Sequence, residues 1–324
     1  MSHGEDRIIS PAMGSAETET TTSDPALDDY GRSDRKWLQL DWSSLLRNTV
    51  VETRLGTTRV DYVELGQGSP VLFVHGLGGS WRNWLENLPF FARDHRVVAI
   101  DLPGFGTSPM PPETISISAY GELVVAVADR LGLGPETALV GHSMGGFIST
   151  DAVTAAPQRF STLTLVAAAG ITFAAMSDSR KSVTSAAIKM IRPLMANRVD
   201  RALHRKRLRV ASFSGLVAHP SLIDREILWE LARYAATAPG MIEATDALYG
   251  YDSRERLAEI GIPTLVIWGR KDRLVPVAAA HDYLRRIPGA RLSIIDDTGH
   301  MVQMERPARF NREVGQFISE PATG

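Results

Sequence analysis

The chain has 324 residues, 44% of them hydrophobic and 22% charged, with a formal net charge of -2 and no cysteine. A chain of this length buries a sizeable core, so a peptide module or disulfide-stapled mini-protein is excluded. Without cysteine there is no disulfide framework, thiolate zinc site, cysteine-held iron–sulfur cluster or Cys nucleophile, and a covalent nucleophile must be oxygen or nitrogen.

Residues 1–34 carry 8 acidic and 2 basic side chains, net -6, which leaves the other 290 residues at net +4. This Ser-, Thr-, Ala- and Gly-rich stretch has almost no apolar periodicity and reads as an acidic tail, disordered when free. It lacks the basic start, apolar run and small-residue cleavage site of a secretory signal. No apolar run reaches the roughly 18 residues of a membrane span, so the expected location is the cytoplasm. Beyond the tail, Leu38, Trp42 and Leu45 can share a helical face. That face would pack on the protein or on a second copy, with an interfacial anchor as the alternative.

From residue 49 the pattern turns to strands. Thr49–Arg54 and Arg59–Val63 flank a Gly56 turn as a predicted hairpin. Short apolar strands follow at Val71–Val74, Val97–Ile100, Thr137–Val140, Leu163–Val166, Thr264–Ile267 and Leu292–Ile295, with helical periodicity at Ile117–Leu131 and Val277–Ile287. Alternating apolar strands and helices imply an α/β fold, a mostly parallel sheet covered on both faces. Between Val166 and Thr264 no clear core strand occurs, but Ser182–Ala196, Arg198–Ser212 and Ser221–Ala236 read as helices. So long an interval is not an ordinary connection and predicts a helical insertion over residues 172–254, between core parts 35–171 and 255–324.

The sharpest motif is Gly141-His142-Ser143-Met144-Gly145-Gly146, between a strand and a helix. Glycines there allow a sharp turn that lifts the Ser143 hydroxyl above the sheet and leaves the Met144 N–H free to face developing negative charge. His75-Gly76-Leu77-Gly78-Gly79 also follows a strand and lacks the lysine of a phosphate loop, so the Leu77 N–H is the expected second oxyanion donor. His75 is read as structural. A serine needs a base and a group to orient that base. Asp272, in Gly269-Arg270-Lys271-Asp272, and His300, in Asp296-Asp297-Thr298-Gly299-His300, both follow later strands, in the chain order of such a triad. Asp101 reads as turn architecture, Asp296 and Asp297 as a local turn or as tuning charges, and His142 as support for the serine turn. No metal or organic cofactor is needed.

Taken together these segments resemble the α/β-hydrolase family over approximately residues 49–318. The resemblance implies an eight-stranded sheet, Ser143 as nucleophile, Asp272 and His300 as acid and base, Leu77 and Met144 as oxyanion hole, and an insertion acting as a cap over the site. It further implies a carboxylesterase-like or lipase-like serine hydrolase of short to medium acyl esters. Carbon–carbon bond hydrolases of ring-cleavage products are close competitors, similar in G-H-S-M-G-G, G-R-K-D-R-L-V-P and G-H-M-V-Q-M-E. The loop at His75–Ser80 and Met301 depart from that subclass. A noncatalytic hydrolase-like ligand receptor is the alternative of a different class.

Residues 180–209 hold 10 basic side chains and 1 acidic, net +9. This is a solvated helical face, or a field that draws an anionic or lipid-like substrate, and the acidic tail could fold across it. No nucleic-acid reading module accompanies the charge. Met176, Val183, Ala187, Ile188, Met190, Ile191, Leu194 and Met195 form an apolar set for the insertion's core or an acyl pocket, and Trp81 and Trp84 are read as core or as pocket wall.

Overall fold

The computed structural model describes residues 29–32, 34–170 and 205–320. Residues 1–28, the expected helix Ser182–Ala196, the apolar side chains from Met176 to Met195 and most of the basic run lie outside the described residues.

Eight strands form one sheet: β1 Leu46–Thr53, β2 Gly56–Leu65, β3 Ser69–Val74, β4 His95–Ile100, β5 Ala138–His142, β6 Thr162–Val166, β7 Thr264–Gly269 and β8 Arg291–Ile295. Their order is β1-β2-β4-β3-β5-β6-β7-β8. The predicted hairpin is present, since β1 and β2 pair antiparallel around Gly56, whose φ of 79° suits a residue with no Cβ. β2 also runs antiparallel to β4, and from β4 to β8 all neighbours are parallel.

The strand period of two divides the core between the faces. Leu72 and Val74 of β3 face one apolar cluster, with α3 (Ile117–Arg130), α4 (Met144–Ala155) and α8 (Ala278–Arg286). Val71 and Phe73 face the other, with α2 (Leu88–Phe91), α9 (Val302–Glu305) and α10 (Pro307–Ser319). α3 starts where the Ser116 hydroxyl accepts the Ala119 N–H at 3.1 Å, and its buried Ile117, Tyr120, Val124 and Val127 recur at helical spacing.

Between β6 and β7 the described chain forms α5 (Lys206–Phe213), α6 (Arg225–Thr237) and α7 (Met241–Tyr249), without a strand. This stretch is tied back to the core by Asp151 of α4, whose carboxylate receives Arg256 at 2.7 Å together with the Tyr251 hydroxyl. Beyond the turn at residues 76–79, Arg82 bonds Glu230 of α6 at 3.1 Å and lies between the rings of Trp81 and Tyr234.

The region before β1 differs from its predicted helical face. It forms a 3₁₀ turn at Lys36–Gln39 and the four-residue helix α1 (Trp42–Leu45), and it buries Trp37 while Leu38 stays exposed. The indole N–H groups decide this: Trp37 donates to Glu86 at 3.0 Å, and Trp42 donates to the Trp37 carbonyl at 2.8 Å while packing on Trp81. Trp81 and Trp84 are core residues, Trp84 stacking on Phe73 at 4.9 Å.

Phe73 is fully buried between Trp84 and Phe91 at the middle of the sheet. Phe73→Ala is expected to cost about 3–5 kcal/mol of stability, read as a lower urea midpoint with an unchanged slope.

Candidate active site

Parallel strands end on one edge, so the loops that leave them converge there. Ser143 follows β5, residues 75–79 follow β3, Asp101 follows β4, Asp272 lies beyond β7 and His300 beyond β8.

Ser143 is the cap residue before α4, with φ 54° and ψ -119°. Such a backbone costs an L residue of order 1–3 kcal/mol and persists only where its surroundings impose it. They do: the Ser143 N–H is held by the Val166 carbonyl at 2.9 Å, and its carbonyl accepts Gly146 and Ala169 N–H groups at 3.0 Å each. The close approach explains Gly76, where a Cβ would lie 2.8 Å from the Ser143 Cβ.

Gly76 also opens the turn that carries Leu77. The Gly79 N–H donates to the Gly76 carbonyl at 3.0 Å, and Gly78 takes the positive φ of 71° that the turn requires. Among the described residues, neither the Leu77 nor the Met144 N–H has a hydrogen-bond acceptor. His75 builds this loop. Its Nε2 accepts the Leu102 N–H at 3.0 Å, which places the ring proton on Nδ1, 2.7 Å from the Gly76 carbonyl it donates to. Burial lowers its pKa from 6.5 to about 4, so the ring is neutral.

Asp272 and His300 meet: His300 Nδ1 lies 2.7 Å from Asp272 Oδ2, with both side chains buried. The other carboxylate oxygen accepts the Leu274 and Val275 N–H groups at 2.8 and 2.9 Å. A carboxylate oxygen at that distance holds the ring proton on Nδ1 and leaves Nε2 with its lone pair. Asp296 and Asp297 are engaged elsewhere, Asp296 by Arg270 and Asp297 by Lys271 and by His219 at 3.0 Å.

His142, the residue before Ser143, packs its ring 4.8 Å from the His300 ring and donates from Nε2 to the His300 carbonyl at 3.1 Å. Burial, and then the neighbouring His300, push its pKa well below the ordinary histidine value, so it supports the turn as a neutral ring. Asp101 is fully buried, accepting the Trp81 and Thr107 N–H groups at 2.7 and 2.8 Å, and burial raises its pKa to about 6. It holds the β4 turn against the start of the Trp81–Trp84 segment.

The sequence pattern does not mark Leu216 or Tyr30, and it includes Glu305 only as the last residue of G-H-M-V-Q-M-E. Glu305 accepts the Gly299 and Met301 N–H groups on either side of His300, and the His300 N–H itself donates to Leu216 at 2.8 Å. The glutamate that closes that motif, five residues after His300, is the one local signal for a role of this side chain. Among the described residues, no group of three or more His, Cys, Asp or Glu is placed to hold a metal ion. No described helix is long and apolar enough to cross a membrane.

Residues 69–307 match the alpha/beta hydrolase fold family. The chain is 31% identical over 82% of its length to a dihydrolipoyllysine-residue acetyltransferase component of an acetoin cleaving system from Pseudomonas putida, spanning 68% of that protein. It is 30% identical over 84% of its length to a 2-hydroxy-6-oxo-6-phenylhexa-2,4-dienoate hydrolase from Burkholderia cepacia, spanning 95% of it. The structure is similar to that of an esterase from Rhodococcus sp. ECU1013, with a TM-score of 0.69, 27% identity, and coverage of 84% of this chain and 98% of that one.

The two buried neighbours His75 and Asp101 have opposite effects on stability versus pH. The lowered His75 pKa adds stability that is complete above 6.5 and is lost as pH falls toward 4. The raised Asp101 pKa adds stability that is complete below 3.8 and is lost as pH rises through 6. His75→Gln, which still offers Leu102 an acceptor but does not titrate, is therefore expected to regain about 3 kcal/mol relative to the parent between pH 6.5 and pH 4. Urea unfolding across that range checks it, and parallel curves for the two proteins would contradict it.

Proposed function

This chain belongs to the alpha/beta hydrolase fold family, and we propose that it is a serine hydrolase of carboxylic esters with short to medium acyl chains. The observation that carries this reading is the 2.7 Å Asp272–His300 hydrogen bond, against the histidine that precedes Ser143. It supplies an oriented base with Nε2 unprotonated, the one thing a neutral serine hydroxyl lacks as a nucleophile.

In this mechanism the Ser143 hydroxyl attacks the ester carbonyl while His300 Nε2 takes its proton. The carbonyl oxygen becomes an oxyanion that receives the Leu77 and Met144 N–H groups, which are preorganised and without other acceptors among the described residues. The intermediate collapses, His300 returns the proton to the departing alcohol, and an acyl-enzyme is left on Ser143. Water deprotonated by His300 then attacks the acyl carbon, and breakdown frees the acid and the serine. Asp272 stays ionised throughout, holding the tautomer and stabilising the imidazolium. The segment between β6 and β7 acts as the cap, its α6 and α7 lying at the oxyanion turn where Met241 and Ala235 border Gly78.

Carbon–carbon bond hydrolysis of ring-cleavage products is the second reading, favoured by the 30%-identical relative that bears such a name. Both chemistries use an oriented base and an oxyanion site. They differ in what leaves, an alkoxide or a carbanion equivalent.

Ser143→Ala should fold as the parent does, lose the acylation burst with p-nitrophenyl esters, and fall roughly 10⁵–10⁶-fold in kcat. Full turnover by that variant would sink the mechanism. Esters of graded acyl length run beside a ring-cleavage dienoic acid separate the two readings by kcat/KM: preference for the dienoic acid moves the protein to the carbon–carbon class. Binding of either without turnover would make it a ligand receptor.

A further inference from the structure

We propose that Glu305 is the positioning residue for His300, and that the N-terminal segment at Asp29–Gly31 completes the same clamp through Tyr30. The proposal rests on the reading of His300 as the base.

Three successive backbone N–H groups surround the base, and all three are held. Gly299 donates to Glu305 Oε2 at 2.8 Å, His300 to the Leu216 carbonyl at 2.8 Å, and Met301 to Glu305 Oε1 at 3.1 Å. The loop that carries His300 therefore closes on a carboxylate five residues further along the chain. The Asp272 contact sets the rotation and tautomer of the ring, whereas Glu305 sets the backbone from which the ring projects.

Glu305 has no exposed surface, and burial raises its pKa while its hydrogen bonds oppose that rise. Donors converge on it from three separate parts of the chain and favour its charged form against that burial. Besides Gly299 and Met301, the Ala218 N–H donates to Oε2 at 2.8 Å, and so does the Tyr30 hydroxyl. Protonation, or an amide in its place, would turn one acceptor into a donor facing an N–H, which a buried site tolerates poorly.

Tyr30 is built into this arrangement. Its hydroxyl donates to Glu305 and accepts the His219 N–H at 2.9 Å, its ring meets the His219 ring edge-on at 5.2 Å, and the Arg306 guanidinium lies 5.1 Å from its centroid. Arg306 pairs with Asp29, and the Gly31 N–H donates to the Glu305 carbonyl at 2.7 Å. His219 in turn bonds Asp297 of the loop that carries His300 at 3.0 Å. The N-terminal segment, residues 216–219 between β6 and β7, and the His300 loop thus share one buried acceptor. Loosening any of them lets the base drift relative to Ser143, and a displacement on the order of 1 Å costs roughly 10²-fold in rate.

The test uses the full chain with Glu305→Gln, Tyr30→Phe and, as a control, Glu313→Gln. Glu313 is another buried carboxylate, accepting Arg309 at 2.7 Å and the Ser293 hydroxyl at 2.5 Å, away from the His300 loop. Three quantities are measured: the rate of Ser143 labelling by a fluorophosphonate, kcat and KM with p-nitrophenyl acetate, and the downfield proton resonance of His300 Nδ1–H. Glu305→Gln is expected to lower labelling and kcat roughly 10²-fold with KM almost unchanged, and to shift or broaden the resonance. Tyr30→Phe should move all three readouts in the same direction but less, and Glu313→Gln should lower thermal stability while leaving labelling and resonance as in the parent. Variants that lose stability yet label at the parental rate with an unmoved resonance would make the clamp merely structural and overturn the proposal. If Glu305→Gln does not fold, Tyr30→Phe decides by the same criterion. Failure of the parent itself to label at Ser143 is a separate result: it removes the serine-hydrolase reading, and this proposal with it.

Discussion

The backbone of Ser143, at φ 54° and ψ -119°, is the constraint around which the sheet edge is organised. That conformation is unfavourable for a side-chain-bearing residue and is held only because neighbouring strands supply its partners. β6 provides the Val166 carbonyl, the segment after it provides the Ala169 N–H, and the loop after β3 comes close enough that only glycine fits at position 76. Holding the serine there also frees the first N–H of α4, because a helix start has no carbonyl one turn earlier to receive it. One strained turn therefore yields both the raised hydroxyl and one of the two N–H groups of the proposed oxyanion hole.

The other side of the site is held by buried acceptors and by buried neutral rings. Asp272, with two backbone donors and His300, and Glu305, with donors from three chain segments, are acceptors enclosed by N–H and O–H groups. His75 and His142 are the reverse: burial keeps both rings neutral, and each uses its single ring proton on a carbonyl. Three buried histidines thus hold different posts at one edge, and only His300 has a carboxylate on its Nδ1. The segment between β6 and β7 takes part as well, since Leu216, Ala218 and His219 bond directly to the His300 loop, to Glu305 and to Asp297.

Much of this was legible along the chain. The six strands β3 to β8 fall where short apolar runs predict them, because buried parallel strands must be apolar on both faces, and β1 and β2 form the hairpin expected around Gly56. Ser143, Asp272 and His300 could be picked out because each follows such a strand, and strand ends share one edge. Of the three aspartates weighed, Asp272 bonds His300, while Asp296 and Asp297 pair with Arg270, Lys271 and His219. The N-terminal region was less readable. Leu38 suits a helical face by spacing but is exposed, whereas Trp37 is buried because its indole N–H finds Glu86, 49 positions away. Tyr30 lies in a stretch whose composition suggests only an acidic tail, yet its side chain is buried against a residue 275 positions distant.

Sequence alone determined the α/β class, the places of the strands along the chain and the candidates Ser143, Asp272 and His300, because hydrophobic period and glycine punctuation are local properties. Tertiary structure decided which aspartate meets His300, which tautomers His75 and His142 adopt, and that Glu305 gathers the N–H groups on both sides of His300. Those outcomes depend on hydrogen-bond partners brought together from distant parts of the chain. A buried polar group is settled by whichever donor or acceptor folding places within 3 Å or so of it, and no spacing along the chain encodes that meeting.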